Sequence, residues 1–578
     1  MKRKFSSSLT VRKLICLGLV IGMFCSLPLL SSCAGPSPTS TVPSTTASSP
    51  SQSPSPSPTQ TIEKIIRQTQ ASASAIDPAV GSDFVSSLAL ANLYDTLVFP
   101  NIDGTVRPWA ANSWDISEDG LIYTFSLKPG IKFHNGDELT AEDVAFSMDR
   151  IMAIGEGYAY LFTTTVSEVK TLDNSKVQFI LKKPFGPFIN ALVRLYILNE
   201  KQVKANIDPS GTYGAMGDYG KNWLVTNDAG SGPYQVKEMK PMESLYAVRF
   251  SDYWQPFDEN APDSFKEIGT TEAVTVRTLL ARRELEISDQ WQTTEALVGL
   301  DAIAGVDIAS YFAGSVLNIM LHTKKPPTDD IHFRKALAYC LDYKTICDQL
   351  FPGARQAVGP VCADTPGHDP NLFQFTQDLV KAEAELKQSK YYGQLDQYPV
   401  ELHWVAEVPD EEKIALMLQS NAQKIGINVE VVKIPWLTCI ENMTTPETTP
   451  NATIVFVAPS YAEAGSLLES RYHSKSTGTW EQGEWLQDPQ IDSMIEDAIS
   501  TIDRTERFNK YYLLQEKIVE LCPTIWIYDQ PEKAAYQTDY VYWPAAADAK
   551  NGKPVNPVMG YNFYFPEFRV YPDKIPNP

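Results

Sequence analysis

The clearest alternation of apolar and polar positions falls within residues 114–151. Tyr123, Phe125 and Leu127 are spaced by two, which predicts a strand with one buried face. A Pro129-Gly130 pair ends the alternation. The Asn-Gly that follows predicts a tight turn, because these residues tolerate positive φ.

A helix is predicted directly after this turn. Thr140 and Asp143 have the spacing of a near-capping box, with Asp in place of the usual Glu. The apolar residues behind them recur at helical spacing and form one stripe: Ala141, Val144, Met148 and Ile151. The segment therefore predicts a strand, a turn and a capped helix in that order.

The same two periodicities alternate in the second half of the chain. A strand is predicted around Val400, Leu402 and Trp404, followed by a helix over 411–425 that ends at Gly426. A further strand is predicted from Ile427. Strand, helix and strand in this order predict a right-handed parallel unit and an α/β fold class.

The N-terminal residues have the pattern of an export signal. Basic residues precede a mostly apolar run over 14–30, and Leu30-Ser31-Ser32-Cys33 matches a lipobox. We expect residues 1–33 to be a lipoprotein signal peptide, with Cys33 lipidated. The alternative, a transmembrane anchor, is disfavoured because the run is short and contains Pro28. Residues 34–60 are rich in Ser, Thr and Pro, which predicts a tether.

Length and charge limit the function further. About 518 residues follow position 60, more than one core usually holds, so two or three domains are expected. The net charge is −21, and loss of residues 1–33, with five basic and no acidic residues, leaves −26. This charge argues against nucleic acid as a partner.

No catalytic or metal-binding motif stands out. Five cysteines follow the signal segment, an odd number without a CxxC pair, so neither a zinc site nor a disulfide ladder is predicted. Burial as small apolar side chains is favoured, and a bridge between Cys347 and Cys362 stays open. The six histidines are scattered, and no P-loop, GxSxG or HExxH occurs. We therefore expect no metal bound directly by the protein, no cofactor and no enzyme activity, while chelated nickel stays open as a solute.

Two stretches resemble a known family, namely DGLIYTFSLKPGIKFHNGDELTAEDVAFS at 119–147 and FRKALAYCLD at 333–342. Both are similar to the extracellular solute-binding proteins of family 5, the oligopeptide, dipeptide and nickel receptors of ABC importers. The resemblance implies a two-lobed periplasmic-binding-protein-like fold (class II, cluster C type) with an extra small domain on the first lobe. It also implies a monomer that binds a peptide or small-molecule solute and meets permease and ATPase subunits.

The resemblance also suggests domain limits. The first lobe would comprise residues 61–110 and 225–325, with the extra domain at 111–224 between them. The second lobe would span 326–524, and residues 525–578 would return to the first lobe.

Candidate site residues come from the same resemblance, which places a pocket-lining loop after a second-lobe strand. The candidates are Ser460, Tyr461, Glu463, Arg471, Trp436, Trp480 and Trp485. In peptide receptors of the family an Asp of this loop binds the free α-amino group of the ligand. Here the matching position holds Ser460, and Glu463 lies three residues on. We therefore expect that a free N-terminus is not required.

Three functions remain open at this point. The favoured one is a lipid-anchored receptor on the extracytoplasmic face of the membrane that hands its solute to an importer. The alternatives are an extracytoplasmic hydrolase of peptides or glycans, and a signalling or scaffold protein on the same fold. The sequence does not show which two carboxylates a hydrolase would pair, since groups distant in sequence can converge in the fold, and without a P-loop any coupled ATP hydrolysis would belong to a partner.

Overall fold

The computed structural model describes residues 63–71 and 76–576. The signal peptide, the lipidation of Cys33 and the tether over 34–60 lie outside these residues and stay predictions. Within the described residues, none of the helices combines the length and the apolar composition needed to cross a membrane.

The first lobe is built on a sheet of four strands, in the spatial order Ile65–Gln70, Ser264–Gly269, Ser244–Arg249 and Tyr234–Lys240. The first two run parallel and the remaining pairs are antiparallel. An antiparallel pair, Val306–Tyr311 with Glu532–Gln537, extends this layer. Ile287 joins the two parts, because it bridges Gln68 on one side and Tyr536 on the other.

The second lobe contains a six-stranded mixed sheet. Its spatial order is Arg355–Gln356, Thr524–Asp529, Val316–Leu321, Ala452–Val457, Val400–Val405 and Val429–Ile434. The last two strands are parallel and are connected by the helix Asp410–Gln423, so the strand–helix–strand unit predicted from the sequence is confirmed.

The extra domain carries an antiparallel sheet in the order Ala111–Ile116, Ile122–Leu127, Lys176–Leu181 and Val166–Asp173. Its helix, Ala141–Ile154, starts where the sequence predicts. The backbone N–H of Thr140 donates to Asp143 Oδ2 at 2.9 Å, which confirms the capping box. The predicted strand at 122–127 is confirmed as well.

The other main helices cover the sheets or connect them. They are Phe84–Leu93, Glu200–Ala205, Ala273–Ala281, Thr294–Asp301, Ile331–Cys340, Leu379–Leu386, Trp436–Asn442, Ala464–Tyr472, Pro489–Ser500, Arg504–Leu521 and Pro544–Lys550. All five cysteines of the described chain are free, so the bridge between Cys347 and Cys362 that the sequence left open does not form.

The chain crosses between the two lobes at two neighbouring places. Residues 312–315 connect the first-lobe strand Val306–Tyr311 to the second-lobe strand Val316–Leu321, and residues 530–531 lead back. The crossings touch, since the backbone N–H of Gln530 donates to Ser315 O at 3.1 Å. The sheets therefore change at these positions, whereas the sequence suggested limits after residues 325 and 524.

Candidate ligand-binding cavity

A cavity lies between the lobes, next to the two crossings. It holds about 890 Å³ of empty space, including the solvent at its mouth. The first lobe contributes Phe84 and Trp291, and the second lobe contributes Trp436 and Phe456. Ser315 of one crossing also lines it. A concave space with walls from two lobes is a common place for a small ligand.

Aromatic rings form much of the wall. Trp436 and Trp480 meet at 5.1 Å between ring centroids and 72° between planes, an edge-to-face pair. Trp291 of the first lobe approaches Phe456 of the second at 5.7 Å. The backbone N–H of Trp436 donates to Glu407 Oε2 at 2.9 Å, which fixes the start of its helix. These rings provide flat surfaces that lose little entropy on binding.

Three of the seven candidate residues, Ser460, Trp436 and Trp480, line this cavity. The Ser460 hydroxyl lies 2.7 Å from the Tyr160 hydroxyl of the extra domain. The Ser460 carbonyl accepts from Arg194 Nε at 2.6 Å. The second-lobe loop is thus held against the first lobe by two hydrogen bonds at a single residue.

Glu463 and Tyr461 point away from the cavity wall. Glu463 is almost fully buried and accepts from Arg507 Nε at 2.6 Å, from Arg507 Nη2 at 2.9 Å and from the Tyr511 hydroxyl at 2.8 Å. Tyr461 is fully buried in the core. Because Glu463 already has a cation, it is engaged in holding the helix Arg504–Leu521 rather than facing a ligand.

Arg471 and Trp485 are also outside the lining. Arg471 is buried and forms an ion pair with Glu484, which accepts from the Thr524 hydroxyl at 2.7 Å. The Trp485 ring stacks on His322 with 6.1 Å between centroids, and its Nε1 donates to the Thr449 hydroxyl at 2.9 Å. Both side chains support the second lobe behind the cavity.

Sequence reasoning missed the acidic lining of the cavity. It comprises five carboxylates, namely Asp83, Glu407, Glu411, Glu481 and Glu532, and no Lys, Arg or His. Burial raises the pKa of Glu481 and of Glu532 to about 7, and raises that of Glu411 well above its ordinary value. Apart from Glu407 and Glu411, which are four positions apart, these residues come from distant parts of the chain, so no local motif could have revealed the group.

The carboxylates do not form a metal centre. Within residues 63–71 and 76–576, no three His, Cys, Asp or Glu side chains converge closely enough to hold a metal ion. The lining can instead accept hydrogen bonds from a solute and place negative charge beside it.

Comparison with known proteins gives the family. The profile of bacterial extracellular solute-binding proteins, family 5 (middle region), matches residues 105–479. The probable D,D-dipeptide-binding periplasmic protein of Escherichia coli (strain K12) is 26% identical over 474 residues, which are 80% of this chain and 87% of that protein. The dipeptide-binding protein of the same organism is 26% identical over 371 residues, 60% of this chain and 66% of that protein.

Solved structures agree on the fold. The ABC transporter-associated periplasmic binding protein DppA of Helicobacter pylori, in complex with the peptide STSA, superposes with a TM-score of 0.76 at 20% identity, over 88% of this chain and 98% of that one. NikZ of Campylobacter jejuni, in complex with Ni(L-His), gives 0.73 at 19% identity, over 88% and 99%. Such similarity establishes the two-lobed architecture. With the family profile covering more than half of its residues, this chain belongs to the bacterial extracellular solute-binding proteins of family 5.

Proposed function

We propose that this protein is the substrate-binding component of an ABC importer that captures a peptide or a similar solute between its lobes. The observation that carries the proposal is the cavity, whose walls come from both lobes and whose lining includes Ser315 of one crossing. Such an arrangement lets the lobes close on a solute. Relatives named as dipeptide-binding and a structural neighbour described as ABC transporter-associated support the same role.

The site residues of the proposal are Ser460, Trp436 and Trp480, with Tyr461, Glu463, Arg471 and Trp485 in supporting positions behind them. We expect the protein to act as a monomer that presents its solute to permease and ATPase subunits. It carries out no reaction of its own in this proposal.

Solute capture is tested by native mass spectrometry of the full chain as purified, followed by melting in the presence of a peptide library. A solute that binds only the folded protein stabilises it by about 2.7 kcal/mol at a hundredfold excess over Kd. A bound solute should therefore raise the melting temperature and reduce the radius of gyration in solution scattering. A higher melting temperature with an unchanged radius would argue against lobe closure.

The anchor is a separate part of the proposal. The lipobox supports lipidation of Cys33 and attachment to the outer face of the cell membrane through the tether. Changing Cys33→Ala should release the protein to the soluble fraction and abolish palmitate labelling. Labelling that persists in the variant would contradict it.

A further inference from the structure

The charge of the cavity is one-sided. Of its five acidic residues, Asp83 is contributed by the first lobe, Glu407, Glu411 and Glu481 by the second, and Glu532 by the strand after a crossing. No residue of this lining is basic, and within the described chain none of the five forms an ion pair. An anionic solute would meet carboxyl oxygens from several directions and no positive charge in the lining, which is unfavourable.

A second feature points to the same kind of solute. Gln290 lines the cavity and is 8% exposed, yet its Oε1 atom has no hydrogen-bond partner among the described residues. An amide oxygen and a carboxylate both accept hydrogen bonds. A buried acceptor without a partner costs free energy, so the matching solute group is a hydrogen-bond donor, as an ammonium or guanidinium N–H is.

The aromatic wall suits a cation as well. Trp436 and Trp480 line the same space as Glu481, and Trp291 lines it from the other lobe. The face of an indole ring attracts a positive charge, most strongly where water is excluded. Carboxylates and indole faces in one cavity are complementary to an ammonium or guanidinium group and unsuited to a carboxylate.

The raised pKa values of two lining carboxyl groups are consistent with a cationic solute. Burial raises the pKa of Glu481, an effect that Arg471 and a hydrogen bond from Ser470 oppose and Glu484 reinforces. Burial likewise raises the pKa of Glu532. A positive charge placed beside either group would favour its ionised form.

From this geometry we infer that the cavity selects solutes that carry a net positive charge, on ammonium or guanidinium groups. The inference rests on the proposed function and narrows its substrate class to cationic peptides or amines. Glu481 and Glu532 are the groups that meet the charge, and Trp436 and Trp480 cover it.

The test is titration calorimetry of the full chain with four probes of similar size. Lysyl-leucinamide carries two positive charges, its Nε-acetyl and Nα-acetyl forms carry one each, and glutamyl-leucine carries a net negative charge. We expect lysyl-leucinamide to bind most tightly and glutamyl-leucine at least a hundredfold more weakly. The two acetylated forms identify which amine is recognised, since the form that loses tenfold or more has lost the relevant charge.

Matched variants identify the protein side. Glu481→Gln and Glu532→Gln should each weaken lysyl-leucinamide binding tenfold or more and leave glutamyl-leucine binding unchanged or stronger. Glu412→Gln, on the exposed face of the helix that also carries Glu411, should change neither. The melting temperature of each variant without ligand shows that it is folded.

Different results would contradict the charge selection and the peptide capture on which it rests. If glutamyl-leucine binds as tightly as lysyl-leucinamide, charge selection is overturned while peptide capture stands. If wild-type protein prefers lysyl-leucinamide but both glutamine variants bind it normally, the assignment of Glu481 and Glu532 is overturned. If none of the four probes binds, the selection proposed here and the peptide form of the proposed function are both contradicted.

Discussion

Two groups of buried carboxylates in this molecule have opposite surroundings. Behind the cavity Glu463 is paired with Arg507, and in the first lobe Asp77 receives two hydrogen bonds from Arg150 at 2.6 and 2.7 Å. In the cavity wall neither Glu481 nor Glu532 forms an ion pair within the described chain, although the charge of Arg471 acts on Glu481. The comparison separates carboxylates that hold the fold together from carboxylates that are available to a solute.

The difference follows from the cost of burying charge. A carboxylate in a poorly hydrated place needs a cation and hydrogen bonds, or it retains a proton. The paired groups meet that need within the fold. The cavity groups meet it only in part, since Ser470 hydrogen-bonds Glu481 and Tyr311 hydrogen-bonds Glu532 without an ion pair, and burial raises the pKa of both carboxyl groups to about 7.

The largest effect is expected where a partner is removed from a paired carboxylate. Arg507→Met leaves Glu463 buried with only the Tyr511 hydroxyl as donor, which should lower the free energy of unfolding by about 3–5 kcal/mol. Urea unfolding measures it. Arg504→Met, exposed on the same helix, is the control and should cost less than about 0.5 kcal/mol. A loss below about 1 kcal/mol in Arg507→Met would show that the pair is unimportant for the fold.

Substitution of a buried carboxylate that has no partner is expected to raise, not lower, the free energy of unfolding. Glu267 is 1% exposed, neither of its oxygens has a hydrogen-bond partner in the described chain, and burial raises its pKa from 4.5 to about 8. The folded state therefore keeps a proton that the unfolded state has lost, so stability falls as pH rises from about 4.5 to about 8.

Glu267→Gln should remove this dependence and stabilise the protein at pH 7 by an amount on the order of 3 kcal/mol. Gln68 lies opposite Glu267 on the adjacent strand, and its Oε1 has no hydrogen-bond partner among the described residues. The amide N–H of a glutamine at position 267 would be a suitable donor for this oxygen, which favours the stabilising effect. Unfolding midpoints of both proteins from pH 5 to pH 8 measure the effect. Parallel pH profiles would contradict the proposed protonation of Glu267.

The smallest effect concerns the hydrogen bond that links the lobes. Tyr160→Phe and Ser460→Ala should show a coupling of about 0.5–1.5 kcal/mol in a double-mutant cycle. The matched control is the pair of Ser87 and Tyr158, also joined through hydroxyls, at 2.6 Å, but within the first lobe. Cutting the Tyr160–Ser460 bond should enlarge the radius of gyration, whereas cutting the control bond should not. An equal change in the radius of gyration in both cases would contradict a role of the Tyr160–Ser460 hydrogen bond in lobe closure.

Local patterns in the sequence predicted much of the fold. The strand at 122–127 and the helix capped by Thr140 depend on neighbouring residues, so alternation and capping predicted them. The positions of the crossings were not predicted, because every residue of Val316–Leu321 is buried, Asn318 included, and a strand buried on both faces does not indicate which sheet it joins.

The site was less predictable than the fold. The resemblance correctly predicted that Ser460, Trp436 and Trp480 line the cavity. It did not predict that Glu463 is paired with Arg507, which lies 44 positions further along the chain. Whether a carboxylate is paired is a property of the folded molecule. Glu407 and Glu411 are four positions apart, but long stretches separate them from Asp83, Glu481 and Glu532, so the convergence of the five had no signature in the sequence.

The position of the two crossings has a consequence for how a solute would be sensed. Ser315 ends one crossing, Glu532 follows the other, and both residues line the cavity. A rotation of one lobe about the crossings would move Trp436 relative to Phe84, whereas Ser315 and Glu532 adjoin the crossings and would shift less. We therefore expect a solute to contact Glu532, beside the crossings, before the lobes close around it. Recognition of its charge and its enclosure would then be successive events.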